Sequence, residues 1–122
     1  MKGYDLQVQN LSRDNWVVDQ GWAAATPWKK MVGLLKHRYL NKGEGMWFPG
    51  ASWIHSFGMK FHFDAVFIDR RKKVVKIVTQ IAPNRVLAPV WRASAVIELP
   101  SGGASNCGVE VGDQLEIVRF QR

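Results

Sequence analysis

The chain has 122 residues, is 47% hydrophobic and 22% charged, and carries a formal charge of +7 from 17 basic and 10 acidic side chains. This length suits a single domain over residues 1–122 with its own core, and the composition is that of an ordinary globular protein rather than a disordered or fibrous one. The lone Cys107 excludes an intramolecular disulfide and a multi-cysteine zinc site. No stretch approaches the roughly 18 apolar residues of a membrane-crossing helix, and the opening MKGYDLQVQNLSRDN lacks the apolar run of a secretory signal, so a soluble, cytoplasmic protein is expected.

In chain order, Tyr4 to Val8 and Trp16 to Val18 read as short strands around the turn-prone Ser12-Arg13-Asp14-Asn15. Thr26-Pro27 then opens the clearest helix: threonine caps it, and proline suits a first position whose amide is unpaired anyway. Trp28, Met31, Val32 and Leu35 make one apolar stripe along Thr26 to Lys36, with Lys29, Lys30 and Lys36 off it. After the loop NKGEG comes an apolar strand, Met46 to Pro49. A long strand from Phe57 to Ile68 follows. Its odd positions Phe57, Met59, Phe61, Phe63, Ala65 and Phe67 are all apolar, while the even positions turn from polar to apolar along the strand.

Asp69 to Lys73 makes a hairpin turn into a return strand at Val74 to Val78. Short strands are expected around Val86, over Ala93 to Leu99 and over Gln114 to Phe120. Ser101 is the expected cap of a short helical turn ending at Gly108, and Val111-Gly112-Asp113 the next turn. The whole is a mainly β (α+β) reading: a small barrel-like domain of short strands with one amphipathic helix and a short helical turn.

Three blocks, TPWKKMVGLLKHRYLNKGEGMWF, IHSFGMKFHFDAVFIDRRKKVV and VIELPSGGASNCGVEVGDQLEI, carry a resemblance. Together they resemble domain-of-unknown-function family 192, small uncharacterised conserved proteins of bacteria and archaea, over about Thr26 to Ile117. The matching features are Gly33-Leu34-Leu35 with Arg38, Gly43 to Met46, Ile54 to Met59 with Ser56 in place of threonine, Asp64, Phe67 to Asp69, and Gly108 to Asp113. Phe63 stands where many relatives have proline, and Ala51-Ser52 where some have a cysteine. The resemblance implies a family without an established activity; no cofactor is expected.

The residues themselves offer three readings. The favoured one is a non-catalytic module binding an unknown small molecule or protein, with a cleft beside the His55–Asp64 block. Arg38, Trp47, Trp53, His55, Met59 and Arg85 are its candidate ligand-binding residues, because convergent aromatics with a few polar anchors are the usual form of such a site. The alternative is a small enzyme using His55, or His62 with Asp64 two residues on, as acid and base. An aspartate flanked by Phe63 and Ala65 has a structural reading as well, accepting backbone hydrogen bonds from a neighbouring loop. The third is nucleic-acid binding through the basic tip Arg70, Arg71, Lys72 and Lys73. No metal site is expected, since no His-x-x-x-His or paired cysteines are present and a spacing of seven puts His55 and His62 on opposite sides of a strand.

Overall fold

The computed structural model describes residues 4–24 and 40–120. The expected helix Thr26 to Lys36 and the candidate anchor Arg38 lie outside them. The described elements are strands β1 (Leu6–Asn10), β2 (Asn15–Ala23), β3 (Glu44–Pro49), β4 (Phe63–Ile68), β5 (Val74–Ile81) and β6 (Ala95–Pro100), a short helix α1 (Gly103–Cys107), and β7 (Leu115–Arg119). All seven strands join in one sheet ordered β5-β4-β6-β3-β2-β1-β7, in which only the β2–β3 pair is parallel. The fold is mainly β, as the pattern of short strands and turns implies.

The sheet curls until its two edges meet at one end. Lys73, just before β5, bridges Gln114, just before β7, and the Val74 amide donates to the Asp113 carbonyl at 2.9 Å. Curling needs close strand packing on the inner side. Gly21 and Gly45 face each other across β2 and β3, and a Cβ on Gly45 would stand 2.6 Å from Val18 Cγ2. Here glycine is a packing requirement.

Alternation along the strands divides the apolar residues between the two sides of the sheet. Leu6, Val8, Val18, Val66, Ile68, Ile97 and Leu115 pack together on one side with Ala104 of α1. Trp22, Met46, Phe48, Phe63, Ala65, Phe67 and Val96 pack on the other, where Leu40, Ile54 and Met59 join them. Strand β4 is buried at all six positions because both sides are covered.

The expected strand Phe57 to Ile68 is shorter than its apolar alternation suggests. The Met59 amide donates to the Ser56 carbonyl at 3.1 Å and Gly58 has φ of 80°, so a turn occupies this stretch and pairing begins at Phe63. Phe57, expected in the core, is 51% exposed, whereas Met59 and Phe63 are buried in the second side's core. The short helical turn is present as α1 and ends at Gly108. Its N-cap, however, is Gly102 in the left-handed region, not Ser101, and no side chain caps it.

Candidate functional site

A short ribbon outside the named strands presents the histidine block. Residues 52–56 run beside 85–90: the Val90 amide donates to the Ser52 carbonyl at 2.8 Å, Leu87 to Ile54 at 3.3 Å, and Ser56 to Arg85 at 2.8 Å, with His55 bridging Val86. Extended backbone sends alternate residues to opposite sides. Ile54 and Ser56 accordingly point inward and are buried, while Trp53, His55 and Phe57 point outward.

Ser56 locks the ribbon. Its hydroxyl donates to the Ala82 carbonyl at 2.6 Å and accepts the Arg85 amide at 2.7 Å, and its carbonyl accepts the Asn84 amide at 2.9 Å. These bonds hold a set of open rings. The His55 ring lies 5.4 Å from Trp53, edge to face, and 5.2 Å from Phe57. The His55 Nδ1 accepts the Phe57 amide at 3.2 Å, which leaves Nε2 to carry the ring proton. Trp53 is 43% and Val86 58% exposed. Trp91, next to Val90 on the second strand of the ribbon, is 84% exposed, and the Arg92 guanidinium lies 5.6 Å from its ring.

The candidate ligand residues are distributed unevenly around this ribbon. Trp53, His55 and Arg85 belong to it, and Met59 is buried beneath it. Trp47 does not join them. It packs on the other side of the sheet, with the Arg119 guanidinium 5.5 Å from its ring, because β3 turns Met46 and Phe48 to the ribbon's side and Trp47 away from it.

His62 and Asp64 are also separated. His62 precedes β4 and is exposed, whereas Asp64 is fully buried. The Asp64 carboxylate accepts the Gln80 amide at 2.9 Å and the Ala104 amide at 3.0 Å. It ties the irregular end of the β4–β5 pairing, where Gln80 has φ of 53°, to the first turn of α1. At the basic tip, Arg70, Arg71 and Lys73 are exposed and Lys72 is half-buried with φ of 67°. Asp69 Oδ1 accepts the amides of Arg71 and Lys73, both at 2.9 Å, and so shapes the turn.

Two further features escaped the sequence reading. Glu98, in the middle of β6, is 1% exposed and both its carboxyl oxygens lack a hydrogen-bond partner among the described residues. It lies opposite Ala65 and Met46, among the apolar side chains of the ribbon's side, and burial pushes its carboxyl well above the usual range. Glu44 stands on the same face of β3 as Met46; it accepts the Tyr4 hydroxyl and, at 2.8 Å, the Asn41 amide. The only sequence signal for Glu98 was a carboxylate within the apolar run AVIEL, which alternation alone would have placed at solvent.

The second feature is a cleft of about 230 Å³ at the far end of β2, beside α1, lined by Trp16, Asp19, Lys42, Glu44, Asn106 and Cys107. Burial pushes the Cys107 thiol up, so at neutral pH it is a protonated thiol, and it donates to the Ala104 carbonyl at 3.5 Å. Among the described residues, no group of three or more His, Cys, Asp and Glu side chains could hold a metal ion, and no helix is long and apolar enough to cross a membrane.

The model of the family described as DUF192, Uncharacterized ACR, matches residues 10–117. The chain belongs to this family. A UPF0127 protein of Pyrococcus abyssi is 41% identical over 63 residues, and that stretch spans 52% of this chain and 53% of the relative, about half the length of each. Among solved structures, a Novosphingobium aromaticivorans protein of unknown function is similar with a TM-score of 0.76 at 24% identity, over 92% of this chain and 83% of that one. A Sinorhizobium meliloti protein named as a candidate transcription regulator is similar with a TM-score of 0.75 at 22% identity, over 93% and 92%. These two likenesses establish a shared fold. The family is described as uncharacterised and supplies no activity.

Proposed function

We propose that this member of the family is a non-catalytic binding module and that the ribbon bearing Trp53, His55 and Phe57 is its contact surface. One observation carries the reading. Large rings stand open to solvent on a segment whose inward residues are buried and hydrogen-bonded, so the surface is exposed and fixed at once. An aromatic side chain in water leaves apolar area uncovered, and covering it on binding contributes roughly 25 cal/mol per Å². A pre-organised backbone lowers the ordering cost of that contact. Arg85, exposed at the end of the ribbon with its backbone clasped by Ser56, adds a positive charge there.

The test uses 8-anilinonaphthalene-1-sulfonate, a flat anionic aromatic probe, on the folded chain. The natural chain is expected to enhance its fluorescence saturably. A Trp53→Ala, Phe57→Ala variant with unchanged circular dichroism and a cooperative urea transition is expected to lose most of that signal. Equal binding by the variant would place the probe elsewhere and contradict the proposal.

A further inference from the structure

We infer that the ribbon binds single-stranded nucleic acid, its exposed rings stacking on bases while the flanking cations take the phosphates. This inference rests on the proposed contact surface and names the partner of that surface. Its first support is charge. Between Glu44 and Asp64 the sequence has no acidic residue, and between Asp69 and Glu98 it has none either, whereas Lys60, Lys76, Arg85, Arg92 and the basic tip all fall within these two stretches.

The carboxylates that bound the stretches are turned inward or onto backbone amides. Glu44, Asp64 and Glu98 are buried, and Asp69 is turned onto the amides of its own turn. Asp113 and Glu110, beyond the tip, are engaged by Arg13 at 2.7 and 2.9 Å. Backbone pairing brings parts of the two stretches side by side. The Ser94 amide donates to the Ile68 carbonyl at 2.8 Å, which sets Trp91 and Arg92 at the same end of the sheet as the tip. From there the ribbon continues through Val90 and Ser52 to Trp53, His55 and Phe57.

The second support is the openness of the rings. Trp91 at 84% exposure has no structural use as a core residue, and Trp53 and Phe57 flank the half-buried His55 on the same side. A cationic track with open aromatic faces is the arrangement that holds single strands with little sequence preference, since every base offers a π-face. An acidic peptide would use the cations and leave the rings idle, and a duplex offers no unstacked bases.

The experiment titrates the whole folded chain with a 15-nucleotide oligothymidylate in low salt, following tryptophan emission. Quenching is expected, with an affinity that falls steadily as salt rises. The Trp53→Ala, Trp91→Ala variant should bind about tenfold or more weakly, and Arg85→Glu with Arg92→Glu should weaken binding and flatten the salt dependence. Heparin, polyglutamate and a duplex of the same length serve as competitors. Failure of the oligonucleotide to quench, equal displacement by any of the three competitors, or unchanged affinity in the tryptophan variant would each overturn the inference. Retained naphthalene-sulfonate binding with no oligonucleotide binding would overturn only the partner, whereas loss of both in the natural chain would overturn the surface itself.

Discussion

The carboxylate of Asp64 in β4 accepts the Ala104 amide proton at 3.0 Å, so a fully buried strand residue holds the first turn of α1 in place. Its other oxygen accepts the Gln80 amide at 2.9 Å. Asp64 is thereby used up in building the fold. Asp64→Ala would leave two amides without partners, one of them in a bond buried at both ends, and is expected to cost roughly 2–4 kcal/mol of stability, since each orphaned buried donor costs about 1–3 kcal/mol. Urea denaturation measures this loss, and oligonucleotide affinity of the fraction still folded should be unchanged.

Glu98 makes a prediction of opposite character. Burial disfavours its charged form and pushes its carboxyl well above the usual range. Above the ordinary glutamate value of about 4.3, the unfolded chain loses a proton that the folded chain keeps. The folded state then binds more protons, and stability falls as pH rises from there through the raised value. Glu98→Gln should remove that downward slope, measured as urea midpoints from pH 5 upward. Glu98→Leu should go further and raise stability at neutral pH, because an apolar group of similar volume replaces a buried carboxyl that has no hydrogen-bond partner among the described residues.

Asp113 acts in the other window. Its burial works against ionisation, but hydrogen bonds from Arg13, Asn10 and the Glu110 amide outweigh it and hold the carboxyl below the usual aspartate value. The stabilising contribution is therefore complete above the ordinary value of about 3.9 and is lost as pH falls through the lowered one. Asp113→Asn should lower the urea midpoint at pH 7, and the gap from the natural chain should close as the pH falls below the lowered value. A gap that persisted in strong acid would contradict the assignment.

Exposure separates the proposed contact surface from the core in a fourth prediction. Trp91→Ala should change folding stability by no more than about 0.5 kcal/mol, as surface substitutions do. Phe63→Ala, at 0% exposure in the second side's core, should cost about 3–5 kcal/mol. Ser56→Ala lies between the two: it strips the ribbon of two side-chain bonds and should weaken probe binding through a loosened backbone. Thermal unfolding of the three variants in parallel gives the comparison.

Much of the fold was legible because burial on two sides leaves a plain mark. Strand β4 reads from the alternating apolar run, the tip from its charges, and α1 from its closing Gly108. The turn at Ser56 to Met59 was hidden because apolar residues continue through it, and alternation has no means of showing that Gly58 takes a positive φ. The outward side of Phe57 was hidden for the same reason. The site was legible in part: Trp53, His55 and Arg85 share the ribbon, but Trp47 shares its aromatic type and not its side of the sheet. Pairing between residues 52–56 and 85–90 depends on contacts some thirty residues apart, which local periodicity cannot report. Glu98 was missed because a carboxylate in a strand normally marks the solvent side, and here the sheet is covered on both.

The most direct measurement is a two-dimensional amide and indole NMR map of the labelled chain as the oligothymidylate is added. Binding at the ribbon should concentrate shifts at the indole protons of Trp53 and Trp91 and the amides of His55, Phe57, Val86 and Arg92. Shifts gathered instead around Trp16, Asn106 and Cys107, in the cleft beside α1, would contradict it.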